Sequence, residues 1–109
     1  MGRAGEKEAE KFLKKSGYQI LDTNYHTFFG EADIVCQKDE YIIFVEVKTR
    51  TDDSFGMPSE AVTIKKQERY FKIATEYVCK KGYNQKQIRF DVIEIENGKI
   101  NHIIDAFSM

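Results

Sequence analysis

Cysteine and histidine are scarce: two of each in 109 residues, at no spacing that builds a zinc site or a disulfide framework. Cys36, inside an expected strand, and Cys79, late in an expected helix, read as buried thiols, and His26 and His102 as surface or turn residues. No apolar run is long enough to cross a membrane, and the charged first residues argue against a signal peptide, so no membrane partner and a cytoplasmic location are expected. There is no repeat and no low-complexity segment. With 41% hydrophobic and 32% charged residues, the chain is expected to form one globular domain over residues 1–109. Excess positive charge is also lacking. The net charge of −1 argues against a polyanion binder that works by bulk charge. Its distribution softens that objection, because residues 60–90 hold eight basic residues against three acidic ones.

What is present is an unusual placement of charge. Tyr41-Ile42-Ile43-Phe44-Val45-Glu46-Val47-Lys48 is rich in β-branched and aromatic residues and reads as a buried strand. Side chains alternate along a strand, so Glu46 and Lys48 project from one face and Val45 and Val47 from the other. A carboxylate and an ammonium on one small buried patch need compensation.

A second acid comes from the preceding segment. Gly30 to Cys36 leads into the polar turn Gln37-Lys38-Asp39-Glu40, which returns into the Tyr41 strand as an antiparallel hairpin. Pairing about Asp39 brings Asp33 within a residue of Val45 and hence beside Glu46. Two carboxylates with room for water and phosphate suit a hard divalent cation such as Mg²⁺ or Mn²⁺. Such an ion stabilises developing phosphate charge and lowers the pKa of a bound water, which Lys48 could orient or help deprotonate. This chemistry fits phosphodiester hydrolysis. The bland alternative is a structural ion-pair network at the sheet's end.

Two helices flank this hairpin. Arg3 to Lys15 carries an apolar stripe of Ala9, Phe12 and Leu13 and is closed by Gly17; Glu6 lies almost in line with Leu13, flanking the buried face. A second helix begins at the cap Thr63, buries Tyr70, Ile73, Ala74, Tyr77 and Val78, and ends near Gly82. Lys66 extends its buried line. It either reaches a phosphate at the site or snorkels to water, and spacing does not choose between them. Lys65 and Arg69 lie on the same basic stretch, next to the strand bearing Lys48 and Arg50, and make a candidate nucleic-acid surface. Glu31, two residues before Asp33, reads as either a supporting acid near the site or a charge at the sheet's rim. Arg89 and Asp91 share a strand face and are expected to pair.

Gln87 to Glu96 reads as a strand, and Asn97-Gly98 as a type I′ turn into a last strand, Ile100 to Phe107. The order is α, three β, α, two β. Thr51 to Pro58, without apolar periodicity and directly after the acidic strand, reads as a substrate-contacting loop.

Asp33 with Glu46-Val47-Lys48 resembles the signature of the PD-(D/E)XK nuclease superfamily, the restriction-endonuclease-like fold to which archaeal Holliday-junction resolvases belong. Gly2-Arg3-Ala4-Gly5-Glu6-Lys7-Glu8-Ala9, Gly30-Glu31-Ala32-Asp33, Phe44 to Arg50, Phe55-Gly56, Ala61-Val62 with Lys66, and Arg89-Phe90-Asp91-Val92 are similar in order to the small bacterial YraN-like family. That resemblance implies an α/β, restriction-endonuclease-like αβββαββ core with a mixed central sheet flanked by helices. It implies Asp33 and Glu46 as metal ligands with the Val47 carbonyl as a third, Lys48 as catalytic lysine, and Glu6 as a helix-borne acid near the same metal. It also tips Lys66 toward function.

The expectation is an Mg²⁺-dependent (or Mn²⁺-dependent) endonuclease acting on DNA, branched or junction DNA among its substrates. The alternative is a nucleic-acid-binding accessory protein that keeps the fold without the activity. A homodimer would supply a second active site, and the apolar run Ile100, Ile103, Ile104, Ala106, Phe107 is its candidate interface.

Overall fold

The turn Asp39-Glu40 sets the register around the paired acids. In a computed structural model, which describes residues 2–50 and 62–109, it joins β2 (Gly30–Lys38) to β3 (Tyr41–Arg50) with Asp39 at φ 55. An aspartate tolerates that left-handed conformation better than most residues. Lys38 then pairs with Tyr41, and the antiparallel ladder runs to Ile34 opposite Val45, as the sequence predicts.

The rest of the sheet grows from this hairpin. β1 (Gln19–Thr27) runs antiparallel to β2, and β4 (Gln87–Glu96) runs parallel to β3. β5 (Lys99–Phe107) returns antiparallel to β4 through Asn97-Gly98, both at positive φ as a type I′ turn requires. The spatial order is β1-β2-β3-β4-β5. The parallel pair requires a long crossover, and that crossover carries α2 (Ile64–Lys81). With α1 (Gly2–Lys15) at the start, the order is αβββαββ, a mixed sheet with two helices consistent with a restriction-endonuclease-like core.

The helices take opposite faces. Ala9 and Leu13 of α1 pack on Ile34, Ile43, Val45 and Ile93, whereas Tyr70, Ile73 and Tyr77 of α2 pack on Val35, Ile42, Phe44 and Phe90. β3 is therefore apolar in both registers, as a strand covered on two sides must be. Thr63 caps α2 by accepting the Lys66 N–H at 3.1 Å, and Gly82 closes it at φ 78. Both ends match expectation.

Three readings change. His102 is a strand residue whose Nε2 lies 2.7 Å from the buried Asp91, not a surface or turn residue. The apolar run of β5 is partly covered within the chain, not wholly exposed: Phe107 stacks on Phe90 at 5.0 Å and Ile100 packs toward α1, while Ile104, 55% exposed, stays in solvent. Cys79 is exposed, because the last turn of α2 rolls it off the apolar line; Cys36 is buried as expected, and burial pushes its thiol up to about 12. The Thr51 to Pro58 loop, with Phe55-Gly56, lies outside the described residues. No helix among the described residues is long and apolar enough to cross a membrane.

Candidate active site

β2 and β3 hold register partners only as far as Ile34 and Val45. Just beyond, the Asp33 carboxylate takes over from the ladder, its Oδ2 accepting the Val47 N–H at 2.8 Å. Glu46 sits on the α2 face by alternation with Phe44 and is buried. Two α2 residues one turn apart hold it: the Tyr70 hydroxyl donates to Oε1 at 2.7 Å and Lys66 Nζ donates to Oε2 at 2.5 Å. The same hydroxyl accepts weakly from the Asp33 N–H at 3.5 Å, so Tyr70 ties both acids to the helix.

The two carboxylates repel. Burial and then the Glu46 charge push Asp33 up to about 7; the Val47 N–H works against this and the Glu6 charge adds to it. Near neutral pH the pair holds a proton for part of the time. Burial, reinforced by Glu46 and Asp33, also holds the Tyr70 phenol well above its ordinary range, so it stays a donor.

Glu6 arrives from the other layer. Gly5 is buried against β3, and a Cβ there would collide with the Thr49 hydroxyl, so α1 approaches the strand closely enough to bring Glu6 to the acids. Its Oε1 is buried with no hydrogen-bond partner among the described residues. Lys48 is half-buried, opposite Glu94 in the parallel register, and its ammonium has no hydrogen bond or ion pair among the described residues. Arg50 pairs with Glu94 at 3.7 Å. Lys65 and Arg69 are exposed on α2, and the Arg69 stem crosses Gly30, where a Cβ would meet its Cδ at 2.5 Å. Glu31 is a rim charge, 3.9 Å from His26.

The donor set suits a hard cation. Mg²⁺ is commonly held by one or two carboxylates, with water and phosphate completing the shell. Asp33 and Glu46 could supply the two, beside the Val47 main chain. No three His, Cys, Asp or Glu side chains among the described residues stand close enough to share one ion. Glu6, with its buried unpartnered oxygen, flanks the pair instead.

Sequence reasoning overlooked Tyr70 and Glu94. From the sequence Tyr70 reads as core, although its spacing of one turn from Lys66 puts its hydroxyl at the same acid. Glu94 is buried between Lys48 and Arg50, legible only once β3 and β4 are known to be parallel. A second polar cluster lies on the α1 face. Burial pushes Asp91 up, but hydrogen bonds from His102, both prongs of Arg89 and the Asp105 N–H outweigh it and hold the carboxyl below its usual range. Arg89, which also reaches the Tyr18 hydroxyl at 3.0 Å, pairs with Asp91 as the sequence suggested.

The chain is similar to UPF0102 proteins from several bacteria. That of Syntrophomonas wolfei is 49% identical over 98% of this chain and 96% of its own length. Those of Caldanaerobacter subterraneus (44%, covering 98% and 93%) and Persephonella marina (39%, covering 99% and 93%) align equally fully. Residues 5–95 match the pattern described as "Uncharacterised protein family UPF0102", a span from the glycine that seats α1 through both acids to Ile95 in β4. The chain belongs to the UPF0102 family.

Proposed function

We propose that this protein is a metal-dependent endonuclease that hydrolyses DNA phosphodiester bonds, with Mg²⁺ or Mn²⁺ as its ion and branched DNA among its substrates. The observation that carries this reading is the meeting of Asp33 and Glu46 at the end of the β2–β3 ladder, with Lys48 on the same strand face as Glu46. Buried like charges are costly to keep without a counter-charge, which makes such a cluster a functional site more often than an ornament.

Asp33, Glu46 and the Val47 carbonyl would hold the ion. When bound, it would neutralise charge developing on the phosphate and acidify a coordinated water. Lys48, whose ammonium has no hydrogen bond or ion pair among the described residues, would orient that water or meet the phosphate. Tyr70 keeps Glu46 aimed from the helix side. Lys66 supplies positive charge at Glu46 and, with Lys65, Arg69 and Arg50, a basic rim for the backbone of a substrate.

Purified protein incubated with linear, single-stranded, flap and four-way DNA in Mg²⁺, Mn²⁺ or chelator tests the reading. Metal-dependent cleavage lost in Asp33→Asn and Lys48→Ala supports it; no cleavage of any substrate refutes it. A second reading, an accessory protein that binds nucleic acid without cutting, draws on the saturation of both Glu46 oxygens by Tyr70 and Lys66, which already neutralise the acid from within. DNA binding without cleavage in either metal would favour it.

A further inference from the structure

The hairpin between β1 and β2 ends in Phe28-Phe29. Phe28 is 96% exposed, the most solvent-exposed large apolar residue of the described chain. Burying such a ring is worth about 1.5–3 kcal/mol, which the fold forgoes here. The tip is nonetheless well defined. The Thr27 hydroxyl donates to the Gly30 carbonyl at 2.9 Å and accepts the Phe29 N–H at 3.0 Å, and the two rings meet edge to face at 5.7 Å.

Charge surrounds this aromatic step. A groove of about 240 Å³ between the tip and α2 is lined by Phe29, Lys65, Glu68, Arg69 and Lys72, three cations against one acid. A neighbouring apolar groove of about 510 Å³ shares Phe29 and Lys72 and adds Phe71, Thr75 and Glu76. Lys72 Nζ lies 5.8 Å over the Phe29 ring, and the Arg69 stem crosses Gly30. From Lys72 to Lys65 the cations run back about 10 Å along α2, toward the turn where Lys66 meets Glu46. Gly30 lies three residues, about 10 Å of strand, from Asp33.

We propose that Phe28 and Phe29 form a stacking platform for an unpaired base, with Lys65, Arg69 and Lys72 holding the phosphates of that strand as it passes toward Asp33 and Glu46. An aromatic ring beside a cationic track is how proteins engage single strands, because every base has a face to stack and every nucleotide a phosphate to neutralise. A continuous duplex keeps its bases stacked on each other and offers the tip nothing. The platform thus narrows the substrate class, under the nuclease reading on which it rests, to nucleic acid with splayed or single-stranded bases.

The chain has no tryptophan, so Phe28→Trp places a lone reporter at the tip. In EDTA, where no cleavage occurs, Phe28→Trp is titrated with oligothymidylate, a blunt duplex and a four-way junction carrying unpaired bases. Saturable quenching by the first and third, but not by the duplex, is expected. Phe28→Ala should bind those two about tenfold or more weakly, in line with the loss of one base stack, with duplex affinity unchanged. Quenching without metal-dependent cleavage would retain the platform and discard the nuclease. Cleavage with Phe28→Ala binding every DNA like the parent would discard the platform and retain the nuclease. Failure of the parent protein to bind single-stranded or branched DNA, or a Phe28→Ala effect confined to self-association, would overturn the platform.

Discussion

Lys66 Nζ stands 2.5 Å from Glu46 Oε2, where the carboxylate's other oxygen already accepts the Tyr70 hydroxyl. The lysine serves as a built-in cation for an acid that otherwise sits buried beside Asp33. Removing one partner of a buried pair typically costs about 3–5 kcal/mol, reduced here because the lysine is partly exposed. Lys66→Met should therefore lower the melting temperature of the chelated protein, and Mn²⁺ should restore more stability to the variant than to the parent. Equal metal-induced shifts in the two proteins would show that ion and lysine do not share the acid.

Asp33 governs how the metal-free protein responds to pH. Its folded value of about 7 lies above the ordinary 3.8, so the folded state holds the proton more tightly. The stability this confers is full below 3.8 and is lost as pH rises through about 7. Asp33→Asn should thus be more stable than the parent at pH 8 in chelator, with the advantage shrinking toward pH 5. Metal affinity of the parent should rise across the same window, since an ion must displace the proton. Denaturant melts and calorimetry at several pH values would check both slopes.

Asp91 works with the opposite sign. Its partners hold the carboxyl below 3.8, so the stability it confers is present above that value and is lost as pH falls through the folded one. Asp91→Asn leaves Arg89 largely buried without its counter-charge and should cost about 3 kcal/mol or more at pH 7. The penalty should shrink in acid, where the parent's own carboxylate is protonated. A constant penalty down to low pH would mean that shape rather than charge holds the cluster.

Lys48 separates chemistry from affinity. Lys48→Ala should reduce single-turnover cleavage by about 10² or more while substrate affinity changes little. Matched losses in both would make it a phosphate contact instead.

Gly5 and Thr49 form a steric pair. Gly5→Ala should cost about 1–3 kcal/mol by forcing α1 away from β3, and Thr49→Ala, which removes the colliding hydroxyl, should recover most of it. A double-mutant cycle on denaturation free energies would report a coupling near zero if the helix simply tilts.

The hairpin was the most legible part of the chain. A two-residue turn and alternation fix which residue faces which, so Asp33 meeting Glu46 follows from counting alone. Both ends of α2 were legible for the same local reason, a threonine cap and a left-handed glycine. Side chains whose meaning depends on a distant element were not. Tyr70 looks like core until a carboxylate is set opposite its hydroxyl, His102 looks like surface until β4 brings Asp91 beside it, and Phe107 looks like an uncovered edge until Phe90 is there to stack on. On spacing alone Lys66 divides evenly between phosphate and water; the structure gives its ammonium to Glu46, a partner no helical wheel contains.

The parallel pairing of β3 with β4 also has an order in time. Both acids belong to one hairpin, whose short loop can close early and cheaply, whereas Lys66 and Tyr70 come from the crossover that follows it. As the chain emerges from its N-terminal side, the residues of the repelling pair are available before those of the helix that tames it. A hairpin formed before α2 docks would carry two adjacent carboxylates open to any divalent ion in its surroundings, and the docking of α2 would be the step at which the protein's own ammonium takes its place on Glu46.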